Sequence, residues 1–219
     1  MKNIYKSIKG FHRPYNYYYA IYDALYEPML RTGRRNLWAR LAPAAGEKVL
    51  EVGCGTGLSF RYLSKEVCYA GADLTDNMLG IAERRLAKLS DRDWMLFQMN
   101  GLKLGFKDNT FDVVAVPFVL TVVGDPAALI REAARVLKPG GRLGVANHFL
   151  SENNRFYRVL EKSLSPLFQV TVGYTTHLRE RDAFVNLGVE MTGQSIPDVL
   201  RLETITMFSK APAQNGHLK

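Results

Sequence analysis

A turn rich in glycine follows an apolar, β-branched run in the first quarter of the chain, and its residues suit the binding of a nucleoside. The turn reads Gly53-Cys54-Gly55-Thr56-Gly57. Glycine has no side chain to keep a ligand away from the backbone, and a helix after the turn would present unpaired N–H groups. Asp73 lies 22 residues beyond Glu51. Nucleotide-binding βαβ segments place a ribose-binding carboxylate at a spacing of about 20 residues. The pattern therefore predicts a nucleoside site.

The elements that must position these residues alternate between strand and helix. Strands are predicted at 47–52, 67–73, 94–99, 111–118, 141–148, 189–196 and 201–209, and helices at 58–65, 75–89, 125–137, 155–165 and 179–187. Residues 1–42 read as helical, with breaks near residues 10–14 and 32–33. Such alternation indicates an α/β fold with a mostly parallel sheet.

Composition excludes several classes of protein. The 219 residues are 47% hydrophobic, enough for a sizeable core, and the two cysteines do not make a disulfide framework. The four histidines lack metal-ligand spacing, so no metal site is predicted. No cleavable signal is convincing. The longest apolar stretch, residues 113–123, is too short to span a membrane, which takes about 20 residues.

Positive charge is concentrated at the start of the chain. The net charge is +8, and residues 1–40 hold eight bases and two acids. This excess favours a polyanionic partner, either nucleic acid or an anionic membrane. Ile4, Tyr5, Ile8 and Phe11 recur at helical spacing between lysines, which is typical of an interfacial helix. A surface helix packed on the domain is the alternative.

The motifs together resemble the class I S-adenosylmethionine-dependent methyltransferases. Besides the glycine turn, the segments at 72–79, 100–106, 111–114 and 135–143 fit that pattern, and together they cover about residues 47–150. The resemblance implies a Rossmann-like fold with a seven-stranded sheet, S-adenosyl-L-methionine as cofactor and S-adenosyl-L-homocysteine as product. It also implies that Glu51 orients the turn or meets the cofactor's amino group, that Asp73 accepts from the ribose hydroxyls, and that Asn100 and Gly101 read the adenine edge. The expected cofactor-binding residues are Tyr22, Glu51, Gly53, Cys54, Gly55, Gly57, Asp73, Leu74, Met78, Asn100, Gly101 and Pro117.

A narrower resemblance runs through most of the chain. The segments at 15–23, 33–35, 56–59, 117–123 and 147–152 are similar to bacterial phosphatidylethanolamine N-methyltransferases. That family implies a cytoplasmic protein bound peripherally to the inner membrane, which methylates phosphatidylethanolamine and its methylated intermediates towards phosphatidylcholine. The expected partners are an anionic phospholipid surface and the lipid substrate, with neither nucleic acid nor an obligate protein partner. The corresponding domain division is 1–42 as membrane-binding helices and active-site lid, 43–210 as methyltransferase domain, and 211–219 as a disordered tail.

A cluster of tyrosines and one histidine are the candidates for handling the lipid headgroup. Tyrosine faces attract a methylated ammonium, and His148 is predicted at the carboxyl end of a strand, where open α/β sheets bind ligands. The expected catalytic residues are His148 and Tyr19, and the expected substrate-binding residues are Tyr15, Tyr18, Tyr26, Arg31, Arg35 and Asn147. Core packing is the alternative role for many of these tyrosines.

Other functions remain open at this stage. A quinone-ring or other lipophilic small-molecule methyltransferase would share the fold and the membrane helix. A nucleic-acid methyltransferase fits the charge, but residues 116–119 lack the polar acceptor that base-amine enzymes place before paired prolines. A non-catalytic membrane-surface protein is disfavoured by the intact Glu51, Asp73 and glycine turn.

Overall fold

The computed structural model describes residues 13–89, 93–147, 183–184, 191–197 and 204–212, except for the side chains of 13–22, 24–26, 29 and 191–197. Within these residues lie seven strands, three α-helices and one 3-10 helix. In the described part of the chain, no helix combines the length and apolar character needed to cross a bilayer.

The described strands form one sheet in the order β3-β2-β1-β4-β5-β7-β6. Their bounds are β1 Lys48–Val52, β2 Cys68–Asp73, β3 Trp94–Gln98, β4 Phe111–Pro117, β5 Leu137–Asn147, β6 Met191–Pro197 and β7 Thr204–Lys210. Strands β1 to β5 pair in parallel, whereas β7 pairs antiparallel with both β5 and β6. This arrangement confirms the predicted Rossmann-like α/β class. Strand β5 begins earlier than predicted because Leu137 already pairs with Phe111.

Helices cover both faces of the sheet. They are α1 Arg13–Leu41, the 3-10 helix Leu58–Tyr62, α2 Asp76–Leu86 and α3 Pro126–Val136. Strand β4 shows the division clearly. Val114 and Val116 pack with Leu129 of α3, whereas Val113 and Ala115 pack with α1 and α2. Successive strand residues point to opposite faces. An apolar run in a central parallel strand therefore contributes side chains to the hydrophobic core on each face of the sheet.

The expected helix break near residues 32–33 is wrong, because α1 runs continuously through it. A glycine inside a helix costs about 1 kcal/mol relative to alanine. Leu30, Leu37 and Leu41 recur at helical spacing and are buried, and burying each leucine side chain contributes about 1.5–3 kcal/mol. Tertiary packing therefore outweighs local propensity here.

The helix expected at 58–65 is also different, since the structure has a five-residue 3-10 helix there. Three consecutive residues, Leu58, Ser59 and Phe60, are all buried. The tighter 3-10 winding has three residues per turn and is used in short pieces.

Several sequence predictions fall outside the described residues. They concern the interfacial helix and the break near residues 10–14 as far as residue 12, the helix at 155–165, most of the helix at 179–187, and the tail beyond residue 212. Residues 13 and 14 of that expected break belong to α1. The domain boundaries stay a prediction.

Helix α1 reaches the sheet at Gly144 of β5. A Cβ at this position would lie 2.7 Å from Leu37 Cδ1 and 3.0 Å from two atoms of Leu41. Both leucines are fully buried, so neither has room to withdraw. The absence of a side chain at Gly144 is what lets α1 sit against the sheet.

We therefore expect Gly144→Val to lower the free energy of unfolding by about 1–3 kcal/mol, the usual cost of overpacking a core. Urea denaturation followed by circular dichroism measures the change. The matched control is Gly105→Val, because a Cβ at Gly105 meets nothing within 4 Å. Equal stability of the two variants would show that α1 does not pack as described.

Candidate functional site

The carboxyl ends of β1, β2 and β4 open into one cleft. It is lined by Leu30, Arg34, Glu51, Val52, Gly53, Cys54, Gly55, Thr56, Leu58, Ala72, Asp73, Leu74, Thr75, Met78, Met99, Asn100, Gly101, Pro117, Phe118, Val119, Val122, Val123 and Leu129. Most of the predicted cofactor residues thus meet in one place. Gly57 is not among the lining residues, and the side chain of Tyr22 lies outside the described part.

The glycine turn joins β1 to the 3-10 helix in a conformation that favours glycine. Gly53, Gly55 and Gly57 all have φ between 52° and 76°, which is the left-handed region. A Cβ at Gly57 would lie 3.1 Å from Ala82 Cβ, so this glycine lets the turn approach α2. Gly57 therefore supports the cleft from behind rather than lining it.

Asp73 closes the cleft at the end of β2. Its Oδ2 accepts a hydrogen bond from Gly55 N at 2.8 Å, and its Oδ1 accepts one from Thr75 N at 2.8 Å. Burial raises the pKa of this carboxyl, while the backbone N–H groups of Thr75 and Gly55 oppose that rise. An ionised carboxylate has about four lone-pair sites. Asp73 thus anchors the turn, and its carboxylate, which lines the cleft, is the kind of acceptor that ribose hydroxyls need.

Asn100 and Gly101 follow β3 and shape the adjacent part of the cleft. Asn100 Oδ1 accepts from Leu102 N at 2.9 Å, which orients the amide and leaves the second lone pair of that oxygen for a ligand amino group. A Cβ at Gly101 would lie 3.0 Å from Val52 Cγ1. With Leu74 and Met78 in the wall, this part of the cleft can hold a flat, apolar ring with a polar edge.

Glu51 is a buried carboxyl at the end of β1. It is 1% exposed. Ser59 Oγ donates to its Oε1 at 2.5 Å, and the Tyr69 hydroxyl donates to its Oε2 at 2.6 Å. Desolvation raises the pKa of Glu51 to about 7, against the lowering effect of the two hydroxyls and of nearby Arg34. Of the two roles expected for Glu51, these contacts favour orienting the turn.

A charged cluster that sequence reasoning missed ties α1 to the glycine turn. Asp23 Oδ1 accepts from Thr56 Oγ1 at 2.7 Å, and Asp23 Oδ2 accepts from Arg85 Nη2 at 2.8 Å. Arg85 Nη1 also donates to the carbonyl oxygen of Thr56 at 2.5 Å. The three residues come from three elements far apart in sequence, so no local pattern could have found them.

The residues predicted to contact the methyl acceptor do not all lie at the cleft. Arg31 and Arg35 are exposed on α1 and are not among the cleft residues, whereas the intervening Arg34 is. Asn147 is buried at the end of β5, also outside the cleft lining. The tyrosines at 15, 18, 19 and 26 lie on α1, but their side chains are outside the described part, as is His148. Their roles stay predictions. Among the described residues, no group of three or more potential ligands could hold a metal ion.

Sequence reasoning also missed Arg34, whose only signal is its place on an apolar stripe of α1 that the fold alone shows to face the cleft. It falls between Leu30 and Leu37 on the buried stripe, where a charged side chain needs a partner. The apolar residues Phe118, Val119, Val122 and Val123 were visible as a run after β4, but only the fold shows that they face the cleft.

The raised pKa of Glu51 makes stability depend on pH. Between pH 4.5 and about 7 the folded protein keeps a proton on Glu51 that the unfolded chain releases. The free energy of unfolding therefore falls as pH rises through this window. We expect the difference in unfolding free energy between the wild type and Glu51→Gln to change by about 2–3 kcal/mol from pH 4.5 to 8.

Urea titrations at several pH values measure this difference. Glu66→Gln, which removes an exposed carboxyl, is the matched control and should run parallel to the wild type. A Glu51→Gln curve parallel to the wild type would contradict the assignment.

Comparison with known proteins identifies the family. The family model described as a methyltransferase domain matches residues 50–145. The chain is 36% identical over 157 residues to a phosphatidylethanolamine N-methyltransferase of Cereibacter sphaeroides, covering 71% of this chain and 76% of the relative. It is 42% identical over 130 residues to a demethylmenaquinone methyltransferase of Corynebacterium kroppenstedtii, covering 57% of this chain and 53% of that relative.

Among solved structures, a phosphoethanolamine N-methyltransferase of Haemonchus contortus in complex with phosphomonomethylethanolamine and S-adenosylhomocysteine has the same fold. Its TM-score is 0.65 at 15% identity, over 88% of this chain and 59% of that one. The cleft fits the adenosyl cofactor, because Asp73 and Asn100 line it with the acceptors that a ribose and an adenine amino group need. The residues matched by the family model include Glu51, the glycine turn, Asp73 and Asn100. This chain therefore belongs to the class I S-adenosylmethionine-dependent methyltransferases.

Proposed function

We propose that the chain transfers methyl groups from S-adenosylmethionine to the amine of phosphatidylethanolamine and of its methylated intermediates, at a membrane surface. The observation that carries the proposal is the extent of similarity to the phosphatidylethanolamine N-methyltransferase, which covers 71% of this chain and 76% of that relative. The quinone relative matches a shorter stretch, 57% and 53%.

An apolar rim beside the glycine turn supports a lipophilic acceptor. A Cβ built on Gly53 would overlap Val119 Cγ2, so Val119 lies directly over the turn. Val122 and Val123 continue this wall, and Val122 is 40% exposed. An exposed valine at the mouth of a cleft favours contact with an acyl chain or another apolar group. The apolar rim is compatible with either a phospholipid or a quinone as acceptor.

Helix α1 supports binding to an anionic surface. Arg31 and Arg35 are exposed one turn apart, while Asp23 and Glu27 on the same helix are paired with Arg85 and Arg34. The exposed charge of this part of α1 is therefore positive. Each arginine near an anionic bilayer contributes about 1 kcal/mol to binding.

Methyl transfer requires that the acceptor amine be aligned with the methyl group and be deprotonated. The bound cofactor supplies an activated methyl group on a sulfonium. Holding the acceptor in line with that group supplies much of the rate. An alkylamine has a pKa near 10 and attacks only after losing a proton. We propose His148 and Tyr19 for contact with the amine, and Tyr15, Tyr18, Tyr26, Arg31 and Arg35 for the headgroup. Asn147 is fully buried outside the cleft lining, so the role expected for it at the headgroup is not kept.

Methylation of a quinone ring is the second candidate. The 42% identity to the demethylmenaquinone methyltransferase favours it, over the shorter aligned stretch. That reaction places the new methyl on ring carbon and needs no phosphate site. The two candidates therefore differ in the atom that is methylated.

An assay with both acceptors tests the proposal. Purified protein is given labelled S-adenosylmethionine and vesicles that contain phosphatidylethanolamine, a demethylated menaquinol, or both, and the labelled lipid is identified by mass spectrometry. We expect label on the amine of phosphatidylethanolamine. Asp73→Ala is the blank, because it removes an acceptor for the ribose hydroxyls and should lower methylation of any substrate.

Label on the quinol alone would overturn the proposal in favour of the second candidate. His148→Ala and Tyr19→Phe should each lower turnover of phosphatidylethanolamine. Wild-type turnover in both variants would remove these residues from the headgroup site.

Vesicle flotation tests the membrane surface separately. Replacing Arg31 and Arg35 together by glutamine should weaken binding to anionic vesicles about tenfold or more, and added salt should weaken wild-type binding because it screens exposed charge. The matched control replaces Arg84 of α2 and Lys88, two residues past the end of that helix; both are exposed and have the same sequence spacing as Arg31 and Arg35. Equal losses in the two double variants would show that α1 has no special role.

A further inference from the structure

Arg34 is a buried cation in the wall of the cofactor cleft. It lies on α1, is 9% exposed, and lines the cleft together with Leu30 from the preceding turn. A buried arginine must be paired, because removing its charge from water is costly. What Arg34 pairs with therefore decides what it does.

One partner of Arg34 comes from its own helix. Arg34 Nη1 donates to Glu27 Oε2, and Glu27 Oε1 lies 3.6 Å from Arg61 Nη2. A guanidinium has five N–H donors in a fixed fork. Within the described residues Glu27 takes one of them, so it fixes the orientation of the fork and leaves N–H groups for a second, planar acceptor.

Charge in the cleft is distributed along the edge of the sheet. Among the described lining residues, three have an acidic or basic side chain: Asp73 at the end of β2, Glu51 at the end of β1, and Arg34. Arg34 lies close enough to Glu51 to lower the pKa of that carboxyl. The cation therefore sits at the β1 end, away from Asn100 beyond β3.

The cofactor has a matching distribution of charge. Its adenosine carries hydroxyls and a ring edge that suit Asp73 and Asn100, which places the methionyl group towards β1. That group bears one ammonium and one carboxylate. Glu51 is already hydrogen-bonded by Ser59 and Tyr69, and a carboxylate ligand has no other described cation in the cleft wall to pair with.

We propose that Arg34 binds the α-carboxylate of S-adenosylmethionine, with Glu27 holding the guanidinium in place. The role concerns the cofactor and is independent of which acceptor is methylated. A planar guanidinium suits a carboxylate because two parallel N–H···O bonds can form. In the competing role, Arg34 would only neutralise Glu27 and Glu51 and would stabilise the fold.

Calorimetry with two ligands separates these roles. S-adenosylmethionine and its decarboxylated form differ only in the carboxylate. Arg34→Gln should weaken binding of S-adenosylmethionine about 10- to 100-fold, since hydrogen bonds between charged groups are of that strength. It should change the affinity for the decarboxylated form less than about threefold. Arg34→Lys should restore part of the loss, because it keeps the charge but loses the fork.

Arg40→Gln is the matched control, since Arg40 is an exposed arginine on the same helix, and it should bind both ligands like the wild type. Equal weakening of both ligands by Arg34→Gln, or no weakening of either, would overturn the proposal. If Arg34→Gln does not fold, the wild type still decides: equal affinity for the two ligands would show that no residue of the cleft recognises the carboxylate.

Discussion

The burial of the Glu51 carboxyl is the constraint on which the site depends. A carboxyl withdrawn from water needs hydrogen-bond donors from the protein, and Glu51 obtains them from Ser59 on the 3-10 helix and Tyr69 on β2, with Arg34 of α1 nearby. Satisfying this one group therefore positions four elements around the glycine turn. The hydroxyls of Ser59 and Tyr69 solvate the carboxyl, which is why it can be tolerated at all.

A second carboxyl, that of Asp73, supports the glycine turn from its other side. The Asp73 carboxylate accepts from Gly55 N, so the side chain of the last β2 residue holds a backbone N–H group of the turn. Such contacts survive substitution of neighbouring side chains. The turn is thus supported by Glu51 from the β1 side and by Asp73 from the β2 side, and the cofactor cleft lies between them.

The part of the cleft lining at the ends of β1 and β2 could be predicted from the sequence because it is local. Gly53, Gly55 and Asp73 follow strand ends that an apolar run identifies, and parallel strands bring their carboxyl ends together. The wall contributed by α1 could not be predicted in the same way. Choosing Arg34 over Arg31 or Arg35 depends on which face of α1 packs on Gly144, and that is a tertiary contact. The Asp23–Thr56–Arg85 cluster is likewise visible only after the chain has folded.

Leu30 and Arg34 make α1 part of the cofactor cleft, while the exposed side of the same helix carries Arg31 and Arg35. In the proposed function, one helix thus faces two different ligands. Thermodynamic linkage then requires reciprocity. A surface that favours the position of α1 in which it packs against the cleft increases the affinity for the cofactor. The bound cofactor increases the affinity for that surface by the same factor. Dissociation of the cofactor product from the cleft would therefore weaken the contact between α1 and the surface. Product release and detachment of the protein from that surface would be coupled events.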